Sequence, residues 1–323
     1  MAGPVFNVDF DPHYGEVVDV SPLLRRVVCN NPSKFTFHGT GTYVIGRGDV
    51  AVVDPGPRDP VHIDALLRAL DGETVRHILI THTHGDHSPA AKALAEATGA
   101  PVLGFGPHPT AATDEDDDDA DDDNDDHAEP ISDDPDFAEK HRPDVDFDPE
   151  SPLAHGDLVE GPGYTLEALH TPGHISNHLC FALREENALL SGDHVMGWST
   201  TIIPPPDGDI AAYLESLELL LARSDAQLYP THGARIDDPR PYVQALYDHR
   251  LAREAAILAQ LSEGPKSAAE IVAVIYADVP KVLHKPAARS VVAHLRKLHD
   301  EGTIAPALAG ASTLKSKTTW SRP

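Results

Sequence analysis

Cysteine is nearly missing from this chain, with two in 323 residues, which excludes a disulfide framework and fits a reducing cytoplasm. Long apolar runs are missing too. None approaches the roughly 18 residues of a membrane span, and the opening Met1-Ala2-Gly3-Pro4-Val5 has neither the basic start nor the apolar core of a secretory leader. The expectation is a cytoplasmic protein with no membrane partner. Positive charge is the third shortage: 25 Lys and Arg stand against 52 Asp and Glu, a formal net charge of −27. A surface of that sign repels polyanions, which weighs against nucleic acid as the main partner. What remains is 41% hydrophobic content in a chain long enough for a sizeable core and about two domains.

Histidine, at 20 residues, is plentiful. Thr81-His82-Thr83-His84-Gly85-Asp86-His87 sets three imidazoles and a carboxylate within seven residues, directly after an apolar stretch, Val75 to Thr81, that reads as a buried strand. Imidazole nitrogen and carboxylate oxygen are donors that Zn²⁺ takes. Taken alone, the run also fits a polar loop in a His-rich chain. Three further apolar runs then end in turns carrying His or Asp: Leu169-His170-Thr171-Pro172-Gly173-His174, Leu189-Leu190-Ser191-Gly192-Asp193-His194 and Tyr229-Pro230-Thr231-His232-Gly233. Strand ends that deliver one ligand apiece build an open metal site, because the sheet fixes geometry while the loops leave room for substrate.

The ordered set His82-x-His84-x-Asp86-His87, His174, Asp193 and His232, with Asp54 ahead of it in Val52-Val53-Asp54-Pro55-Gly56, resembles the metallo-β-lactamase superfamily over residues 20 to 240. The resemblance implies two Zn ions, with Mn or Fe also compatible with a His/Asp set. His82, His84 and His174 would hold the first, Asp86, His87 and His232 the second, and Asp193 would bridge. Asp54 would orient a ligand from behind, and Asp86 and His232 are the candidates for a catalytic part. Two ions roughly 3.5–4 Å apart ionise a shared water, so the implied enzyme is a metal-dependent hydrolase that needs no Ser or Cys nucleophile. The best-known zinc β-lactamases have Cys where this chain has Asp193, which disfavours antibiotic hydrolysis. Asp there is shared by the thioesterase, glyoxalase II and nuclease branches. His178 is either a substrate contact or a structural hydrogen bond, His170 belongs behind the ligands or in the core, and His194 lines the mouth. Cys180, Met196 and Trp198 read as packing.

Periodicity gives strands at Thr42 to Ile45, Val50 to Asp54, Val75 to Thr81, Pro101 to Phe105, Leu166 to His170, His178 to Leu183, Ala188 to Asp193 and Ala226 to Pro230. Helices are expected from Asp59 to Leu70, from an N-cap at Ser88 to Thr98, and from Ile210 to Arg223. The fold class is α/β, a four-layer αββα sandwich over residues 1–240. Residues 113–150 interrupt it with 20 acidic residues against Lys140 and Arg142. Such a stretch is too charged to fold alone, so a disordered insertion is expected, with Phe137 and Phe147 able to dock its end.

Residues 241–323 change character. A helical linker, Pro239 to Leu261, leads to helical stretches Lys266 to Tyr276 and Ala287 to Asp300 and then to a candidate β-wing, the order of a winged-helix domain. Tyr247-Asp248-His249-Arg250-x-x-Arg253-Glu254 and the stretch Ala287 to Gly302 resemble the C-terminal domain of the β-lactamase-like protein 2 subgroup. That subgroup includes proteins regarded as single-strand-specific endoribonucleases, and relatives of the same architecture act as thioesterases. From Glu263 onward nine Lys or Arg face five Asp or Glu, a small local excess. The expected substrate is therefore a small ester or thioester, with RNA cleavage and a metal-binding scaffold as alternatives, and homodimerisation as a role for the C-terminal domain.

Overall fold

The computed structural model describes residues 3–108, 143–277, 284–308 and 317–322. Within them, β1 (Val18–Asp19), β2 (Leu24–Val28), β3 (Gly41–Arg47), β4 (Asp49–Val53), β5 (Thr74–Leu79), β6 (Val102–Gly104) and β7 (Ser151–Pro152) form one sheet in chain order. A second sheet contains β8 (Leu158–Gly161), β9 (Tyr164–His170), β10 (Leu179–Leu183), β11 (Ala188–Gly192) and β12 (Gln227–Pro230), running from β12 at one edge to β8 at the other.

Side-chain alternation along the strands explains the layers. Leu179, Phe181 and Leu183 of β10 meet Tyr43, Ile45, Ala51 and Val53 of the first sheet in a core between the sheets. Cys180 and Ala182 point the other way, under helices α3 (Ile210–Leu221) and α4 (Pro239–Ser262), where Tyr213, Leu217, Val243 and Leu246 cover them. On the far side, Val44, Val50 and Val52 pack beneath the layer of α1 (Pro60–Ala69) and α2 (Ala91–Thr98) through Leu70, Ala91 and Leu94. The layers run helix, sheet, sheet, helix, as the resemblance implied.

Strand direction brings the site together. β4, β5 and β6 are parallel, with α1 and α2 as crossovers, and β11 is parallel to β12 across α3. Asp54 and His82 thus follow the C-terminal ends of neighbouring strands, as do Asp193 and His232. β9 ends where antiparallel β10 begins, which puts His174 and His178 on the connecting turn.

The C-terminal unit has its own core. β13 (Lys266–Ser267), α5 (Ala268–Ile275), α6 (His284–Asp300), β14 (Ala305–Pro306) and β15 (Thr319–Ser321) give two helices and a small sheet of order β13-β15-β14. Trp320, Ile271, Leu295 and Ile304 pack there with Ile257 and Leu261 of α4, while Ser267 and Glu270 cap α5 reciprocally. Ala293 of α6 lies in the helix-covered core of the second sheet.

Three expectations change. Ser88 does not cap α2, which starts at Ala91; the Ala90 amide donates to Gly56 O at 3.0 Å, and the Ser88 hydroxyl donates to Asp144 Oδ2 at 2.7 Å. β2 went unread because Arg25 and Arg26 sit mid-strand, yet both are buried, Arg25 paired with Glu73 at 2.6 Å and Arg26 over the Phe10 ring. The expectation of no structure through residue 150 does not hold for residues 143–150. There the Asp144 amide donates to Thr83 O at 2.8 Å and Phe147 is buried against Gly104. Residues 113–142, with Phe137, lie outside the described residues.

Candidate metal centre

Seven side chains converge at one edge of the two sheets. His84 Nδ1 lies 2.9 Å from His82 Nε2 and 3.0 Å from His174 Nε2. His232 Nε2 lies 3.2 Å from Asp86 Oδ2 and 3.3 Å from Asp193 Oδ1, and His87 Nε2 lies 3.4 and 3.6 Å from Oδ2 of the same two residues. Asp193 also approaches His174 Nε2, at 3.8 Å. Three donor groups result, each with its atoms within 4.8 Å of one another: His82, His84 and His174; Asp86, His87 and His232; and His82, His87 and Asp193, which joins them.

The outward ring nitrogens fix the orientation of the rings. Nδ1–H of His174 donates to Ile202 O at 2.5 Å and Nδ1–H of His232 to Gly39 O at 3.0 Å. His87 Nδ1–H donates to Asp54 Oδ2 at 2.8 Å. The Thr81 hydroxyl donates to Asp54 Oδ2 at 2.7 Å, so its oxygen accepts from His82 Nδ1 at 3.0 Å. Each of these four rings therefore turns its Nε2 inward, the usual way outer partners orient a metal-binding histidine. Gly192, just before Asp193, has φ +53, and a Cβ there would stand 2.5 Å from His178 Nε2. Only glycine fits that turn.

Electrostatics divide the rings. Burial, then the His87 and His84 imidazoles, push His82 well below the ordinary histidine range; burial and His174 bring His84 to about 3. For His232 burial acts the same way, but Asp193 and Asp86 outweigh it and raise the ring to about 10; Asp86, Asp193 and Asp54 raise His87 likewise. The two ring cations in turn overcome burial to hold Asp86 and Asp193 well below the carboxylate range. Buried neutral imidazoles, two ionised carboxylates and a His87 Nε2 that makes no hydrogen bond form a donor set suited to divalent cations.

Other histidines have different parts. His178 is fully buried, with Nδ1 2.9 Å from Thr171 Oγ1 and Nε2 accepting from the Asp193 amide at 3.2 Å, so both nitrogens are engaged within the protein. His194 does not line the mouth. The turn after β11 sends Asp193 inward and His194 into the core, where its fully buried ring meets Tyr213 edge-on at 4.8 Å. His170 stacks on Phe105 at 4.0 Å. Cys180 and Met196 are buried, whereas Trp198 is half-buried and stacks on Phe37 at 4.8 Å beside Gly233.

Several contributors escaped the sequence reading. Thr81, Thr171 and Thr231 each bond an Asp or His of the site, Thr231 reaching Asp54 Oδ2 at 3.2 Å. The recurring pairs Thr81-His82, His170-Thr171 and Thr231-His232 were the available signal. Thr40, which donates to Asp86 Oδ2 at 3.3 Å, and the carbonyls of Gly39 and Ile202 carried none.

Comparison with known proteins gives the family. The family model described as the metallo-β-lactamase superfamily matches residues 36–232, and the β-lactamase-associated winged helix domain matches residues 267–307. A β-lactamase-like protein 2 homolog of Drosophila melanogaster is 30% identical over 291 residues, covering 88% of this chain and 90% of its own. An atrochrysone carboxyl ACP thioesterase of Aspergillus chevalieri is 29% identical over 288 residues, 85% of this chain and 80% of that protein. Among solved structures, a metallo-β-lactamase family protein of Thermus thermophilus superposes with TM-score 0.70 at 25% identity over 94% of this chain and all (100%) of its own. The chain belongs to the metallo-β-lactamase superfamily of hydrolases, in the form that carries a C-terminal β-lactamase-associated winged helix.

Proposed function

We propose that this centre binds two divalent metal ions and hydrolyses a thioester or a small ester. The observation that carries the reading is the convergence of five inward-facing imidazole nitrogens and two carboxylates in the three linked donor groups. His82, His84 and His174 would hold one ion, Asp86, His87 and His232 the other, with Asp193 between them. When bound, such a pair supplies Lewis acidity toward a carbonyl oxygen and an ionised water near neutral pH. The chain supplies position. Asp54, Gly39 O and Ile202 O hold His87, His232 and His174, and Thr40 holds Asp86. Cys180 is no rival nucleophile, since burial pushes its thiol up to about 12.

Phe37 and Trp198 stack beside Gly233, the residue after His232, and offer an apolar surface to an acyl group. The similarity to a protein named as an acyl carrier protein thioesterase supports the same substrate class. RNA is less favoured: the net charge is −27, and α6 of the winged helix is packed against the catalytic domain through Ala293.

The test is metal-reconstituted protein on acyl thioesters, a lactoyl thioester, a β-lactam and single-stranded RNA, with elemental analysis deciding among Zn, Mn and Fe. Thioester turnover that disappears in His84→Ala and in chelator is expected. Cleavage of RNA alone would overturn the choice of substrate.

A further inference from the structure

Arg250 is 4% exposed, and its guanidinium lies outside the cluster of histidines and aspartates. It sits on α4, the helix whose Val243 and Leu246 pack in the catalytic domain and whose Ile257 and Leu261 pack in the winged-helix core. The guanidinium donates to Thr201 O and rests 5.3 Å from the Tyr213 ring centroid. Thr201 passes the restraint on. Its hydroxyl lies 2.8 Å from Asp193 O and 3.0 Å from His194 O, and the next carbonyl, Ile202 O, accepts from His174 Nδ1 at 2.5 Å. One guanidinium thus stands behind two of the seven converging residues, Asp193 and His174. Farther along the same loop, Arg296 of α6 donates to Pro206 O at 3.0 Å and Asp207 Oδ2 accepts from the Ser176 amide at 2.8 Å. The 199–208 segment is therefore tied on one side to the metal loops and on the other to α4 and α6.

We propose that Arg250 is a positioning residue through which the C-terminal domain sets the metal affinity of the centre. The proposal rests on the reading of the cluster as a metal site. Its physical basis is the cost of leaving Thr201 O buried without a donor. That carbonyl must move to find one, and Ile202 O and the Asp193 backbone move with it. A His ring that loses its orienting carbonyl loses the aim of its Nε2, and loss of such outer partners weakens metal binding by about 10- to 100-fold. The tie also gives the winged helix a purpose apart from nucleic acid, since α4 is a continuous rod shared by both cores.

The experiment measures zinc affinity of the full-length protein by competition with a chromophoric chelator, together with the visible absorption of the Co²⁺-loaded form. Arg250→Met should remain folded by circular dichroism and gel filtration, bind zinc about 10- to 100-fold more weakly, and show shifted Co²⁺ bands. Arg250→Lys, with a single shorter-reaching donor group, should fall between it and the wild type. A purely structural role would lower the melting temperature and leave the spectrum alone. A folded Arg250→Met protein with wild-type zinc affinity and Co²⁺ bands overturns the proposal. If Arg250→Met does not fold, Arg250→Gln decides by the same readouts: it keeps a polar amide but falls short of the Thr201 carbonyl, and unchanged affinity and bands would overturn the proposal equally. A wild-type protein that binds no zinc fails one step earlier and sinks the metal-centre reading and this inference together.

Discussion

Asp54 Oδ2 accepts a hydrogen bond from His87 Nδ1 at 2.8 Å, and the same carboxylate takes the Thr81 amide at 2.8 Å and hydroxyl at 2.7 Å and the Thr231 hydroxyl at 3.2 Å. One fully buried side chain therefore braces the loops after β5 and β12 at once. Its backbone is left-handed, φ +51, a conformation that Asp tolerates better than most residues.

Asp54→Ala should accordingly cost about 3–5 kcal/mol in the metal-free protein, the usual cost of stranding the partners of a buried charge. It should also weaken zinc binding by about 10- to 100-fold. Urea denaturation and chelator competition measure the two effects. Wild-type zinc affinity in a folded Asp54→Ala protein would show that the carboxylate serves the fold alone.

Metal uptake should release protons. Asp193 and Asp86 raise His232 to about 10, so near pH 7.5 its ring is an imidazolium in the metal-free protein, whereas a metal takes only the neutral ring; the neighbouring carboxylates shift His87 in the same direction. The sign follows: metal uptake displaces the second proton of His232 at that pH, and less of it as the pH approaches 10. Calorimetry in buffers of different ionisation enthalpy measures the release. An enthalpy independent of the buffer would contradict the pairing of these rings with Asp86 and Asp193.

The aromatic pair beside Gly233 predicts chain-length selectivity. Trp198→Ala should raise KM for thioesters of long or aromatic acyl groups by roughly tenfold and change little for an acetyl thioester, because only the larger groups reach the wall. Equal effects across an acyl series would move the acyl site elsewhere.

His294 of α6 predicts acid sensitivity. Burial, then the neighbouring Arg250, lower it to about 3, below the roughly 6.5 of an unfolded chain. Its contribution to stability is therefore complete above pH 6.5 and declines as pH falls toward 3, with a slope of at most about 1.4 kcal/mol per pH unit. His294→Leu should flatten the dependence between pH 7 and 5 in urea denaturation by that share. An unaltered slope would mean that the ring is protonated in the native state.

Much of the site could be read in the chain because each converging residue follows a short apolar strand, so periodicity and chemistry change at the same point. The helix-covered sheets followed from the same alternation: Phe181 and Cys180 are adjacent, both apolar, and enter different cores. What escaped were residues whose part depends on distant chain. Arg25 and Arg26 look exposed until Glu73 and Phe10 are beside them. Carbonyls such as Ile202 O have no residue type to betray them. His194 shows the limit of neighbourhood in sequence, since one step along a turn reverses the face.

Thr83 deserves a structural engineer's notice. Its hydroxyl lies 2.8 Å from His108 Nδ1 and its carbonyl takes the Asp144 amide at 2.8 Å, so His108 and Asp144 are held at one anchor. For any flexible segment inserted between two residues held together in this way, the closure cost grows only with the logarithm of its length, about 0.6 kcal/mol per doubling. The anchor is thus a natural splice point, where a reporter or a delivery module can be grafted near the His/Asp cluster with little thermodynamic cost to the fold that carries it.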